Sequence, residues 1–141
     1  MRAHRSAVFA AAIGGLFAAM ADASAADMTA DEIKAHSIGK TQYVELGAGS
    51  VTGQSGQGVI YRAEDGTAIY KTPSGAIWTG TWEFKGNTLC STWKQATTPG
   101  PTCSRYDKTG DAVTVLDAVT GAVRVKVLKT CLLYTSPSPR D

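Results

Sequence analysis

An antiparallel meander of about eight strands, closing into a small up-and-down barrel or a strongly curved sheet, is the fold the sequence predicts. Three observations predict it. Apolar and polar residues alternate with a period of two over most of the chain beyond Lys40, and turn dipeptides separate the alternating runs at short intervals. The composition, with 15 glycines, 5 prolines and 18% charged residues, is too apolar for a disordered chain and too rich in turn formers for a helical bundle. At 141 residues there is room for one domain of ordinary size.

The elements follow in order. Residues 1–25 carry Arg2, His4 and Arg5, then the apolar run Ala7 to Ala21, then Ala23-Ser24-Ala25. That is the charged, apolar and small-residue succession of a cleavable export signal, with cleavage expected after Ala25. The apolar run is shorter than the ~20 residues a bilayer span needs, so no integral membrane span is expected after cleavage. Thr29 followed by Glu32 forms a capping-box pattern, which predicts a short helix from about Ala30 to Ser37 with Gly39 suited to its stop. Within it His36, the single histidine of the mature chain, reads as a solvent-facing residue of the last turn, where a partial positive charge is mildly favourable.

Tyr43 to Leu46 starts the strand pattern, and a Gly/Ser-rich loop from Gly47 to Gly58 follows. The next runs are Val59 to Ala63, Thr67 to Thr72 and Ile77 to Phe84, divided at Asp65-Gly66 and Ser74-Gly75, where tight hairpins demand positive φ. Beyond Gly86-Asn87 come Thr88 to Trp93, Thr102 to Asp107, Ala112 to Leu116 and Ala122 to Leu128. Connections this short join neighbours antiparallel, which makes a meander whose buried face is either curled on itself or covered by the helix.

Residues 131–141 resemble the conceptual translation of a sequencing-library adapter, so the single β domain is expected to occupy 26–130, with native sequence ending near Lys129 or Thr130. Setting Cys131 aside leaves Cys90 and Cys103, an even pair in an exported chain, whose disulfide is the default. The pair lacks Cys-x-x-Cys spacing and an adjacent cation, which favours a structural staple over redox work.

The formal net charge is +2, and without Arg2, Arg5, Arg140, Asp22 and Asp141 the domain is close to neutral. No basic block marks a nucleic-acid partner. Two cysteines and one histidine make no zinc site, and no cofactor is expected. The glycines of 47–58 precede no Lys-Ser/Thr and no helix, so a phosphate loop is not indicated. No nucleophile elbow is present, and nothing in the spacing brings Glu45 and Glu83 together as an acid and base pair. A non-enzymatic protein is the expectation.

Aromatics are the remaining feature. Trp78, Trp82 and Phe84 share one face of a strand around Gly80, and Trp93, Tyr61, Tyr70 and Tyr106 lie in neighbouring runs. Such residues either fill the core or line a pocket for a small apolar or sugar-like ligand. Gly80 between two tryptophans marks a tight bend or a close approach.

Thr29-Ala-Asp-Glu-Ile33 with Ile38-Gly39-Lys40, Gly80-Thr81-Trp82, Leu89-Cys90 with Trp93, and Cys103 with Tyr106 together resemble a family of small exported alphaproteobacterial proteins of unknown function. The resemblance spans roughly Met28 to Leu128 and implies a periplasmic β domain with two linked cysteines. It implies no activity. The expectation is a periplasmic or secreted, lipocalin-like barrel that binds a small ligand or an envelope protein. The alternatives are an inhibitor of a cell-wall-degrading enzyme, presenting Pro99-Gly100-Pro101 or the 47–58 loop, and, more remotely, a glycan hydrolase.

Overall fold

The computed structural model of the protein describes residues 25–132. The segment expected to be an export signal, apart from its last residue, and the tail beyond 132 lie outside the described residues. The chain runs β1 (Ala26–Asp27), α1 (Ala30–Ser37), β2 (Lys40–Leu46), β3 (Gly56–Arg62), β4 (Thr67–Lys71), β5 (Ile77–Lys85), β6 (Thr88–Trp93), β7 (Thr102–Thr109), β8 (Ala112–Asp117) and β9 (Val123–Leu132). Every pairing between neighbours is antiparallel, and β2 through β9 close on themselves through β2–β9 and β8–β9. The result is an eight-stranded up-and-down barrel of the lipocalin-like kind, with β1 added beside the far end of β7.

Closure follows from the sequence in two ways. The hairpin turns use glycine where the backbone needs positive φ, as at Gly66 (φ 90°) and Gly75 (φ 89°), which keeps successive strands adjacent. Alternation then gives each strand one face to bury. In β4 only Ala68 and Tyr70 point inward, and in β8 Val113 and Val115 do the same. Closure removes every long unpaired edge except the outer side of the two-residue β1.

The helix is a plug for one end of the barrel. The Thr29 hydroxyl accepts from the Glu32 amide and the Glu32 carboxylate accepts from the Thr29 amide, the capping box that the sequence predicts. Ala30 donates to Asn87 in the β5–β6 turn, and Ile33, with no exposed surface, packs into the core beside Met28. The other end carries the longer β2–β3 and β6–β7 connections. Arg105 donates to both Asp27 and Asp107 at 2.9 Å, which ties β1 to the outside of β7.

Cys90 and Cys103 are bonded, and they are direct cross-strand partners on the outer face of β6 and β7. Their sequence separation of 13 encloses the whole β6–β7 connection. Cys90→Ser paired with Cys103→Ser is expected to lower stability by roughly 3 kcal/mol, as urea midpoints would report, because the unfolded chain regains the freedom of that loop. Cys131 is unbonded and lies opposite Thr41, in a final strand that extends to Leu132 rather than stopping near Leu128.

Candidate functional site

The barrel interior is not filled throughout. Toward the end away from the helix it holds a cavity of about 40 Å³, bounded by inward-facing residues of most strands and covered by Ser50 and Val51 of the β2–β3 loop. A volume near 40 Å³ accommodates roughly three water-sized groups, far less than the several hundred Å³ of a pocket for a lipid or drug-sized molecule.

Its wall combines aromatic bodies with polar tips. Tyr70, Trp93 and Tyr106 line it, and Tyr70 and Trp93 meet at a ring distance of 5.7 Å. Burial holds the Tyr70 phenol above its ordinary pKa, against an opposing bond to Thr52 in the covering loop. Trp78, Trp82 and Phe84 are partly buried and pack against the core without reaching this wall. Trp78 meets Tyr70 edge-on, and the Trp82 indole N–H donates to the Ala63 carbonyl at 2.8 Å. Tyr61 points to the outer surface, where it is paired with Ile69.

The polar part of the wall is made of Gln42, Arg62, Ser91, Thr102, Ser104 and Arg124. Gln42, Arg62, Ser91, Ser104 and Arg124 are all buried. Arg62 follows from strand parity, because it shares the inward face of β3 with Gly58 and Ile60. Its Nε and Nη2 donate to the Ser91 hydroxyl at 3.4 and 3.3 Å, both long for a charge-assisted bond. Among the described residues Arg62 has no carboxylate partner.

Arg124 reaches the interior by a different device. The β8–β9 register slips between Val115 and Leu116, which pair with Val125 and Val123 and leave Arg124 as the extra residue of a bulge. Bulges re-aim side chains, and this one turns Arg124, the neighbour of the inward Val125, toward the cavity as well. Arg124 then donates to Asp117 at 2.7 Å and to the Gly49 carbonyl at 3.2 Å, while its Nε is buried without a partner. Gly47 and Gly49 donate to the Arg124 and Val123 carbonyls, so the start of the Gly/Ser loop is laid against β9. A side chain at Gly47 would stand 2.3 Å from the Val123 carbonyl, and glycine alone permits that approach.

Residues considered for catalysis are not brought together. Glu45 on β2 and Glu83 on β5 both point outward and are separated by β3 and β4. His36 corrects the expectation of a solvent-facing helix end. It is half-buried, with Nε2 sealed and unpartnered, beside Val113, Val127 and Lys129 at the helix-covered end. Burial, and then the charges of Lys40 and Lys108, lower its pKa below the ordinary 6.5. The folded protein therefore prefers neutral His36, and the stability this contributes is whole above pH 6.5 and is lost as pH falls below it toward the depressed folded value. Thermal midpoints measured from pH 7.5 down to 5 are expected to fall, and to fall less in His36→Gln.

Arg62, Arg124, Gln42, Ser91 and Ser104 carry no mark in the sequence pattern. The one available signal for Arg62 is its even spacing from Ile60, and the bulge that places Arg124 has no sequence signature. No protein-family model, no curated protein and no solved structure matches the chain, and the reading of the site rests on its own geometry.

Proposed function

We propose that this is a non-enzymatic domain of the periplasm or extracellular space that binds a small polar ligand inside its barrel. The observation that carries the reading is a hollow interior whose wall bears two arginines and several hydroxyl and amide groups at positions where a stable small barrel would otherwise place aliphatic side chains. Buried polar groups of this kind cost stability unless they are partnered, and a ligand is the partner that makes them useful.

The signal-like first segment and the formed cystine support an oxidising compartment. Among the described residues, no helix is long and apolar enough to cross a membrane. Non-enzymatic binding is supported by the wall itself, which among the described residues offers donors but neither a carboxylate nor a histidine to act as a base. A polar ligand is preferred to the apolar one that the aromatics suggest, because guanidinium groups and apolar surface compete for the same small space.

Trp93 is the tryptophan on the cavity wall, which makes a direct test available. Titrating the protein with a panel of small polar metabolites is expected to change its tryptophan emission saturably. Trp93→Phe is expected to abolish the change, while Trp78→Phe and Trp82→Phe leave it. A panel that leaves both emission and thermal midpoint unaltered would overturn the reading.

A further inference from the structure

The chemistry of the wall narrows the ligand further. Arg62 is 8% exposed and Arg124 9% exposed, so two guanidinium groups are held away from bulk water around one small hollow. Guanidinium stays protonated at any relevant pH, so neither group escapes the cost of burial by neutralising. Arg124 has Asp117 as counter-ion. Arg62 has only the Ser91 hydroxyl, at 3.3 to 3.4 Å, and its Nη1, which is not fully sealed from solvent, has no protein partner among the described residues.

The other polar groups of the wall are Ser91, Ser104 and Gln42, which can donate, and Thr102, whose hydroxyl already donates to the Ser91 carbonyl at 3.2 Å; no Asp or Glu lies on the wall among the described residues. A buried cation without a counter-charge costs several kcal/mol, and a site rich in donors with surplus positive charge lowers that cost by taking up an anion. The planar fork of arginine suits oxygens held on one centre, as in a carboxylate or phosphate. The flanking Tyr70, Trp93 and Tyr106 present ring surface of low polarity, which strengthens each charged contact.

We infer that the cavity binds a small oxyanion, a carboxylate or a group of similar size, with Arg62 as its principal charge partner and Ser91 and Ser104 beside it. This rests on the proposed small-ligand function and specifies its ligand class. The volume of about 40 Å³ admits a head of roughly three or four heavy atoms.

The test is thermal unfolding of the purified protein, with its disulfide intact, in increasing acetate or inorganic phosphate at ionic strength held constant with sodium chloride. Acetamide serves as the neutral counterpart of acetate. A saturable rise in midpoint is expected with at least one of the two anions, about 10 °C at a hundred times the dissociation constant, and acetamide is expected to give none.

Arg62→Met, which replaces a buried charge by an apolar side chain of similar length, is expected to unfold at or above the wild-type midpoint without ligand and to lose the anion response. Arg62→Lys keeps the charge without the fork and is expected to bind at least tenfold more weakly while remaining folded. Equal rises with acetate and acetamide would retain a small-ligand site and overturn its anionic character. A midpoint indifferent to acetate, phosphate and acetamide alike would overturn the oxyanion inference, while the small-ligand reading falls only with a silent metabolite panel. A full anion response in Arg62→Met would overturn the role given to Arg62.

Discussion

Gly80→Ala is expected to destabilise the domain by about 4 kcal/mol or to prevent its folding, although it adds a single methyl group. Gly80 lies in the middle of β5, opposite Ala68 on one side and Trp93 on the other. A Cβ there would stand 2.0 Å from the Thr92 carbonyl oxygen and 3.1 Å from the Trp93 ring. The first obstacle is backbone, which cannot rotate aside as a side chain can. Relief requires β5 and β6 to separate, and that would weaken the ladder from Gly80↔Trp93 to Lys85↔Thr88 and the bond from the Lys94 amide to the Thr79 carbonyl. Because Trp93 also walls the cavity, any folded fraction is expected to show altered tryptophan emission and weakened ligand response. Circular dichroism with urea unfolding reads the first effect. A variant within 1 kcal/mol of wild type would show that β6 can shift outward at little cost.

The same residue shows how far the sequence was legible. Two tryptophans flanking a strand glycine signalled either a bend or a close approach, and the structure resolves this as an approach by the neighbouring strand and its indole ring. The limits of β2, β3 and β9 were not readable, whereas the succession of strands, the capped helix and the hairpins were, for a common reason. Each is specified locally, by alternation, by a cap three residues from its partner, or by glycine where φ must be positive.

The cavity was not readable, since its residues come together only through closure. In β3 the alternate sets are Val59 with Tyr61 and Ile60 with Arg62, and on hydrophobicity alone the first would be turned inward. The structure buries the second, because β4 on one side and β2 on the other fix the register. Tyr61 is therefore left on the outer surface, and Arg62 is taken inside. Arg124 reads as the polar member of Val123-Arg124-Val125 until a bulge changes its direction. His36 likewise reads as a helix-end cation, while the barrel rim against which the helix docks covers its ring. In all three cases burial is decided by long-range pairing, and local sequence constrains only the alternation.

Asp117→Ala is the second substitution with a large expected effect, about 4 kcal/mol. The Asp117 carboxylate acts in two places. One oxygen accepts from Arg124 at 2.7 Å, and the other accepts from the Val119 and Thr120 amides at 2.8 and 3.1 Å, which closes the β8–β9 turn. Removing it leaves the guanidinium with Gly49 as its one hydrogen-bond partner, a buried uncompensated charge worth about 3 kcal/mol. The lost turn bonds add about 1 kcal/mol.

Asp117→Asn preserves the shape and an oxygen for the turn, and is expected to cost less. The double variant Asp117→Ala with Arg124→Met is expected to recover most of the charge penalty, since no buried cation remains. The backbone bonds from Thr120 and Val119, and then the charge of Arg124, hold the Asp117 carboxyl below its ordinary 3.8. Its contribution is therefore present above that value and lost as pH falls through the lowered folded pKa, so wild type should lose stability in acid over a range where Asp117→Asn does not. The two guanidinium groups also make the variant informative about binding. Freed from its counter-ion, Arg124 joins Arg62 in seeking negative charge, and folded Asp117→Asn is expected to bind acetate or phosphate more tightly than wild type. Weaker binding in that folded variant would mean that Asp117 positions the site rather than competing with the ligand for it.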